Sequence, residues 1–563
     1  MPTLPQNLIR ALQTLMLSVA GLFFVLHAVH LAADFPNFSP WMDWSKYTDE
    51  GWYGDAAIRH FQRGRWYVPG DFNPAAALPA WPLLEAFVFH FTGVSLLAAR
   101  GLTVAVFGGI LLASWWLLRL WIVKPRPASP ALAQTSAAAL TPSLAVLLLA
   151  VSPFCFVFTR LAILEPLLIL FTLLALLAAS AVTLPPASDA VGRRLLVDSL
   201  RANVYPIVAL GILLPAMVLT KTTALFLMPA VAWLLFAAMA YRVAPFLRVA
   251  VPAILLGSGL WLTYFVLLIR PRFLLDYRYL FSANAYTGIT SENFLAVLSD
   301  TFTDGMWIGR LIYPLAVAAV LLAVLHLRRL RTHPLIVALL LWAVGYTAFL
   351  AYHANLQPRY YLVVAVPLTL LIPCVVSQIV LPYWRNAASY RLAVVALSVV
   401  FAIVIFTSAQ QTVHFVRHPE YTLVDAAREI HDYIAADLQR DPRHNPLVLS
   451  ISGSDLSLIT GLPSICDDFG TLELDDRVKR YRPGWYVAWN QIDDDKMDAM
   501  TPLFRVQRVA AFPVMDDPDR NLMILYRLDP SLPTTPRHRR KKPTPHLLQT
   551  RVGQQPSTSQ LEH

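Results

Sequence analysis

Charged residues are scarce in this chain, and their scarcity narrows its class at once. Asp, Glu, Lys and Arg make up 14% of its 563 residues, whereas 57% are hydrophobic. Soluble domains average about 25% charged residues. Many apolar segments reach the roughly 18 residues that a helix needs to cross a bilayer core. The composition excludes an ordinary soluble protein and predicts a polytopic α-helical membrane protein.

Cysteine is also sparse, and this excludes a disulfide framework. Cys155 and Cys374 lie in apolar segments, and Cys466 stands alone in the polar C-terminal part. A His-Glu-x-x-His motif is absent, so His90 and His353 are interpreted as interfacial or loop histidines rather than metal ligands. We expect no required cofactor, and nothing in the sequence supports a divalent metal.

Eleven segments are long and apolar enough for transmembrane helices. They cover roughly residues 8–32, 98–121, 140–158, 164–183, 204–220, 223–240, 249–269, 306–325, 334–351, 360–381 and 391–409. A further apolar stretch, 78–92, carries two prolines and Glu85, and we interpret it as an amphipathic helix in the outer interface. The first run is too long for a signal-peptide core and is expected to remain as the first helix.

The positions of the basic residues predict how the chain is oriented across the membrane. If 78–92 does not cross, the basic loops share the side of Arg10, as the positive-inside rule requires. Those loops contain Lys124, Arg126, Arg193, Arg194, Arg242, Arg248, Arg328, Arg329, Arg331, Arg385 and Arg391. The sequence therefore predicts an inner-membrane protein with a cytoplasmic N-terminus, an outer loop 33–97 and an extracytoplasmic C-terminal part.

Three regions follow from composition. Residues 1–410 form the transmembrane part, 411–530 a small α/β domain and 531–563 a basic disordered tail. In the middle region we predict a helix over 425–438 and strands over 447–451, 486–489 and 522–526. The net charge of +10 comes mostly from cytoplasmic loops and this tail, so it does not indicate a nucleic acid. The tail is either solvated or contacts anionic lipid.

Asp49 and Glu50 form an adjacent pair of carboxylates just beyond the first apolar run. A carboxylate at a bilayer surface is costly to desolvate and usually has a function. Partial dehydration raises its pKa towards that of a general base. We expect one of the pair to be catalytic and the other to support it; the alternative is a solvated loop pair.

Three cations lie at the outer ends of predicted spans, where positive charge is normally sparse. They are Arg160, Lys221 and Arg359. Together they are predicted to hold a phosphate group, with Glu165 pairing with or orienting Arg160. The alternative is that each one snorkels to lipid headgroups. Because Lys221 is expected at a water-accessible helix end, replacing it should weaken ligand binding more than folding.

The order of these features over roughly residues 8–410 resembles that of the GT-C glycosyltransferases of the protein O-mannosyltransferase and aminoarabinose transferase type. The matching pieces are Asp49-Glu50-Gly51-Trp52-Tyr53-Gly54-Asp55-Ala56-Ala57, the interfacial stretch from Trp81 to Gly93 with Arg100, Arg160 to Glu165-Pro166, Thr220-Lys221 and Arg359-Tyr360. The aromatic and basic loop 270–305 fits an interfacial lid over a lipid-linked substrate, or an ordinary membrane-interface belt.

The resemblance implies a reaction and a set of roles. A polyprenyl-phosphate sugar would be the donor, and a protein, lipid or glycan hydroxyl the acceptor, on the outer face. Asp49 would deprotonate that hydroxyl, which attacks with inversion. Lys221, Arg160 and Arg359 would hold the leaving phosphate, since fixed cations stabilise its developing charge. Glu165, Tyr53 and Tyr360 would be supporting residues.

Two departures from the family pattern argue against a second acidic site and against a metal there. Glu165 stands where the family often has Asp. The stretch Asp71-Phe72-Asn73-Pro74-Ala75 lacks the Lys that often follows the acid.

Two other functions compete with the enzyme. A transporter or flippase of lipid-linked sugars would typically show inverted repeats and broken helices near the midplane, whereas we find no repeat and polar residues at one face. A non-catalytic partner in cell-envelope assembly would use the outer α/β domain for binding. Loss of sugar transfer in an Asp49→Asn variant that still folds would favour the enzyme.

Overall fold

The computed structural model describes residues 5–123, 135–184, 193–283, 294–296, 299, 307–326, 332–353, 357–384, 386–515 and 520–531. Six helical stretches in these ranges are long and apolar enough to cross a membrane, and five shorter apolar helices accompany them. The predicted tail 531–563 lies almost wholly outside the described residues. The count of eleven spans stays a prediction.

Up to residue 410, the described residues are mostly helical. The helices are α1 Gln6–Leu26, α2 Asp49–Arg63, α3 Ala80–Thr92, α4 Leu96–Leu118, α5 Ser136–Val151, α6 Pro153–Phe158, α7 Leu164–Ser180, α8 Arg193–Ala202, α9 Val204–Thr220, α10 Met228–Ala238, α11 Val243–Tyr264, α12 Leu274–Ala283, α13 Ile312–Leu325, α14 Pro334–His353, α15 Pro358–Val375, α16 Leu381–Tyr383 and α17 Ala387–Arg417.

Two of the predicted spans differ from the observed helices. The segment 140–158 is broken where Pro153, which lacks an N–H, starts α6 and the Ser152 hydroxyl accepts from the Cys155 amide at 3.2 Å. The segment 249–269 continues as helix beyond its predicted end. A π-helical stretch over Phe265–Phe273 connects it to α12. That stretch contains Pro271, and wider turns absorb the lost hydrogen bond. The expected loop 270–305 therefore begins as helix, and residues 284–293 lie outside the described ranges.

The outer loop holds α2 and α3, with one short 3₁₀ turn at Trp44–Lys46 before α2 and another at Pro74–Ala76 between the two helices. Helix α3 has 13 residues, a length of about 20 Å. A bilayer core is about 30 Å thick, so α3 is too short to span it upright. The length is compatible with the interfacial position predicted for 78–92.

A mixed five-stranded sheet forms the C-terminal domain. Its strands are β1 Val448–Leu449, β2 Ser464–Ile465, β3 Trp485–Trp489, β4 Phe504–Pro513 and β5 Leu522–Pro530, in the order β2-β1-β3-β5-β4. The helices are α18 Thr422–Arg440, α19 Gly453–Thr460, α20 Leu474–Tyr481 and α21 Asp494–Met500. Strands alternate their side chains between two faces, so Trp485 and Val487 join one core cluster and Tyr486 joins the other.

Two features of this domain differ from prediction. Helix α17 runs to Arg417 and so passes the expected boundary at residue 410. Strands β2 and β4 were not predicted. Strand β2 has two residues, and β4 is interrupted by polar residues and by a register shift between Arg508 and Ala510.

The sheet domain packs directly on α2 of the outer loop. A Cβ on Gly51 would lie 2.1 Å from the Ser454 backbone carbon, so only glycine permits this approach. The Trp52 indole donates to the Ile451 carbonyl at 3.0 Å, and the Gln62 amide donates to the Ser457 carbonyl at 3.0 Å. Helix α2 is therefore held between the transmembrane helices and the sheet domain.

Candidate active site

A cavity of about 850 Å³ lies where the outer loop, the transmembrane helix ends and the sheet domain meet. Five residues singled out in the sequence line it together: Asp49, Tyr53, Lys221, Arg359 and Tyr360. They come from α2, from the turn after α9 and from the start of α15. The sheet domain adds Ile451, Asp468 and Phe469 to the wall. The predicted acid and two of the three predicted cations therefore face one space.

Asp49 is the first residue of α2 and is buried. Its Oδ1 accepts from the Thr48 hydroxyl at 2.8 Å. Its Oδ2 lies 2.9 Å from Nη2 of Arg359, but no described residue donates to Oδ2 with hydrogen-bonding geometry. Burial raises the pKa of Asp49, and the neighbouring guanidinium only partly offsets this. Oδ2 therefore keeps unused acceptor capacity, and a carboxylate whose pKa is raised in this way is chemically capable of general-base catalysis.

Arg359 is held mainly by Asp43, which the sequence reasoning did not single out. The Arg359 amide donates to Asp43 Oδ2 at 2.7 Å, and Nη1 donates to Oδ1. Asp43 also accepts from the Ser45 amide at 2.8 Å and so caps the 3₁₀ turn. The guanidinium is thereby fixed between two carboxylates, one of which is Asp49.

Lys221 pairs with Glu165, which corrects the expected pairing of Glu165 with Arg160. Nζ of Lys221 bonds to Oε1 of Glu165 and lies 3.8 Å from the centroid of the Tyr360 ring. Glu165 is fully buried, and the Lys221 side chain is 10% exposed. Lys221 is therefore not at a water-accessible helix end. Removing it would leave a buried carboxylate unpaired, at a cost of about 3–5 kcal/mol, so the expectation that its loss spares folding rested on a wrong premise.

Glu50 lies in a buried ion pair, and it is not among the residues that line the cavity. Arg100 Nε and Nη2 donate to its two oxygens at 2.8 and 2.6 Å. The Ala162 amide donates to Oε1 at 2.8 Å. With its oxygens engaged in this way, Glu50 ties α2 to α4 and to the turn before α7. The structure thus places the two adjacent carboxylates in different surroundings.

Arg160 is likewise absent from the cavity lining. Its Nη2 donates to the carbonyl of Val29 at 2.9 Å and to that of His30. Its guanidinium carbon lies 4.6 Å from the centroid of the Phe156 ring. These contacts tie the turn before α7 to the chain that follows α1. The three predicted cations therefore do not converge as one clamp.

Asp71 is the acid of the stretch that departs from the family pattern. It belongs to a buried network of ion pairs and hydrogen bonds. Arg59 bonds to Asp71 at 2.5 Å and to Asp55 at 2.7 Å. The Cys466 amide donates to Asp71 at 3.0 Å. This network joins α2 to the sheet domain. Within the described ranges, no group of three or more His, Cys, Asp or Glu residues is placed to hold a metal ion.

Comparisons with known proteins identify the fold. No protein-family model matches the sequence, and no curated protein matches it. The structure of ArnT from Cupriavidus metallidurans bound to undecaprenyl phosphate matches with a TM-score of 0.51 at 17% identity, over 91% of this chain and 97% of that chain. An Archaeoglobus fulgidus oligosaccharyltransferase tethered with an acceptor peptide matches with a TM-score of 0.51 at 12% identity, over 92% and 74%.

These likenesses confirm the GT-C fold class predicted from the sequence. The matches extend over nearly the whole chain, so they include the small C-terminal sheet domain as well as the helices. Together with the apolar helices, they show that the chain is an integral membrane protein.

Proposed function

We propose that the protein is a glycosyltransferase that moves a sugar from a polyprenyl-phosphate donor to an acceptor hydroxyl. The observation that carries this proposal is the meeting of Asp49, Lys221 and Arg359 around one cavity. A base and two cations are what the transfer needs, because a proton leaves the acceptor while negative charge develops on the departing phosphate.

The chemistry balances with these groups alone. Oδ2 of Asp49 accepts the proton of the acceptor hydroxyl, whose oxygen forms a bond to the anomeric carbon. The bond from that carbon to the phosphate oxygen breaks, and the polyprenyl phosphate departs with the electron pair. Lys221 keeps N–H donors beyond the one bonded to Glu165. Together with Arg359 it stabilises the departing charge. Attack from the side opposite the phosphate inverts the anomeric centre.

A second observation supports a lipid-linked donor. An apolar cavity of about 300 Å³ lies between α13, α14 and α15, lined by residues such as Trp307, Val317 and Leu368. Helix α14 also contributes Phe349 to the wall of the first cavity. An isoprenoid chain in this groove would leave its phosphate at the polar helix ends. The likeness to a structure that contains undecaprenyl phosphate points the same way.

We also propose that the protein lies in the inner membrane with its N-terminus in the cytoplasm and the site outside. The basic loops support this orientation. The native cysteines are buried, so reporters can be introduced at the exposed Asp425 in α18 and Arg201 in α8. In intact spheroplasts, a membrane-impermeant maleimide should label the cysteine at 425 and not that at 201. The reverse pattern would refute the orientation.

Release of the lipid product tests the reaction without knowledge of the acceptor sugar or protein. The purified full-length protein in nanodiscs is mixed with undecaprenyl-phosphate-linked mannose, glucose, arabinose or aminoarabinose and with an envelope extract. Mass spectrometry should detect free undecaprenyl phosphate from at least one donor. If no donor is cleaved but one is translocated across proteoliposomes, the protein is a flippase and the proposal is wrong.

A further inference from the structure

A second cavity, of about 440 Å³, lies beside the first. Its lining is more polar than that of the first cavity. The two cavities share Trp44, Gln357 and Ile451 as lining residues. Asp43 lines the second cavity, while its partner Arg359 lines the first. The second cavity is therefore adjacent to the cavity that Asp49 lines. Its volume is typical of pockets for small ligands, roughly 300–1,000 Å³.

Asp467 is a buried carboxylate at the border of this cavity. The residue is only 3% exposed. Its Oδ2 accepts from the Tyr486 hydroxyl at 3.0 Å and lies 3.6 Å from Nζ of Lys496. Its Oδ1 has no hydrogen-bond partner among the residues that the structure describes. Leaving a buried carboxylate oxygen without a donor is costly, so a ligand whose O–H or N–H group reaches this carboxylate would be stabilised by it.

The charges around the cavity are balanced. Lys496 bridges Asp467 and Asp493, at 3.6 and 3.1 Å. Asp43 is matched by Arg359. Arg520 adds a guanidinium whose carbon lies 3.6 Å from the centroid of the Trp44 ring. Carboxylates on several sides disfavour a phosphate, and the paired cations and acids leave no net charge for a strongly cationic ligand to neutralise.

The lining therefore offers donors and acceptors side by side in a nearly neutral setting. Arg520 and Lys496 supply N–H donors, Asp467 supplies an acceptor, and the Gln357 amide is capable of both. A hydroxyl group also donates and accepts, so several hydroxyls on one ring satisfy such a lining. The indole and phenol rings of Trp44 and Tyr486 add apolar surface beside the polar groups.

We infer that this cavity is the acceptor subsite and that it takes a saccharide ring, bound through its hydroxyls. The inference rests on the proposed glycosyl transfer. An acceptor whose ring occupies this cavity would extend past Trp44, Gln357 and Ile451, which line both cavities, and would place an adjoining hydroxyl in the first cavity near Asp49. The acceptor would then be a glycan or a glycolipid rather than an unmodified peptide.

Ligand binding to the full-length protein in nanodiscs tests the assignment. The probes are methyl glycosides of glucose, galactose, mannose and arabinose, and a capped Ala-Ser-Thr-Ala peptide, measured by saturation-transfer NMR. At least one glycoside should bind. Asp467→Asn should weaken it about tenfold or more, because a hydrogen bond to a charged group is lost. Asp425→Asn on exposed α18 is the matched control and should leave binding unchanged.

A milder variant keeps the test valid if Asp467→Asn folds poorly. Tyr486→Phe removes only the hydroxyl that positions Asp467, and it should weaken glycoside binding by a smaller factor. Absence of binding by every glycoside, or equal binding by both variants and the wild type, overturns the saccharide assignment. Binding of the peptide that Asp467→Asn weakens would assign the cavity to a peptide acceptor instead.

Undecaprenyl phosphate, used as a separate probe, distinguishes this failure from failure of the proposed reaction. If the wild type binds undecaprenyl phosphate and cleaves a donor but binds no glycoside, the acceptor assignment alone is overturned. If neither undecaprenyl phosphate binding nor donor cleavage is found, the proposed function fails and the acceptor assignment fails with it.

Discussion

Replacing the two adjacent carboxylates one at a time should give opposite results. Asp49→Asn removes the base but leaves Arg359 bonded to Asp43. No buried cation loses its only carboxylate, so the free energy of unfolding should change by no more than about 1 kcal/mol. Sugar transfer should fall about 10²- to 10⁴-fold, the usual contribution of a general base.

Glu50→Gln should act on folding instead. The substitution leaves the Arg100 guanidinium with neutral acceptors only, among them the carbonyls of Leu31 at 3.0 Å and Ala33 at 2.5 Å. The pair is buried, with side-chain exposures of 3% and 4%. Breaking such a pair costs about 3–5 kcal/mol. The double variant Glu50→Gln/Arg100→Met removes both charges and should recover part of this loss.

Two measurements separate these outcomes. Fluorescence-detected size-exclusion after heating gives the unfolding midpoint of each variant in one detergent, and release of undecaprenyl phosphate gives the transfer rate. Asp49→Asn should keep the wild-type midpoint without transfer, and Glu50→Gln should lower the midpoint. If Asp49→Asn lowers the midpoint as much as Glu50→Gln does, or if it retains full transfer, the division of roles is wrong.

Three further predictions follow from the same geometry. The acidic limb of the pH profile of kcat/KM should lie above the ordinary pKa of an aspartate, because burial raises the pKa of Asp49 and activity is lost as pH falls through it. A limb at or below that ordinary value, roughly 3.9, would contradict this. Gly51→Ala should destabilise the protein by about 1–3 kcal/mol or more and expose the sheet domain to limited proteolysis, whereas Gly101→Ala, with open space around its Cβ, should do neither. Lys221→Met should unfold at a lower temperature, and Lys221→Met/Glu165→Gln should restore the midpoint but not binding of undecaprenyl phosphate; restored binding would exclude Lys221 as a phosphate ligand.

Most of the helical architecture was predictable, because long apolar runs leave the backbone few alternatives inside a bilayer. The errors arose where local chemistry changed the backbone. Pro153 split one predicted span, and Pro271 was absorbed within a helix that continues. The sheet domain was harder to predict, since β2 has two residues and such a short strand gives no periodic signal.

Part of the cavity lining was predictable from the sequence, but Glu50 and Arg160 lie outside it, and the ion pairs were not predictable. Asp49, Lys221 and Arg359 were grouped because each lies at the same end of an apolar run, and the structure brings them to one cavity. The pairing of acids with cations depends on how each helix is rotated about its axis relative to its neighbours. The spacing of residues in the sequence does not determine that rotation. Asp43 and Arg359 are 316 residues apart, and nothing local to either residue indicates their contact.

The contact of Gly51 with α19 has a consequence for biogenesis. The Gly51 amide donates to the Asp455 carboxylate at 3.1 Å, across 404 residues of chain. At about 5–20 residues per second, the ribosome needs roughly 20–80 s to make the intervening polypeptide. During that interval the sheet domain, which packs on α2 beside Asp49, has not yet been made. The sheet domain can therefore cover the cavity only after the last fifth of the chain has been made.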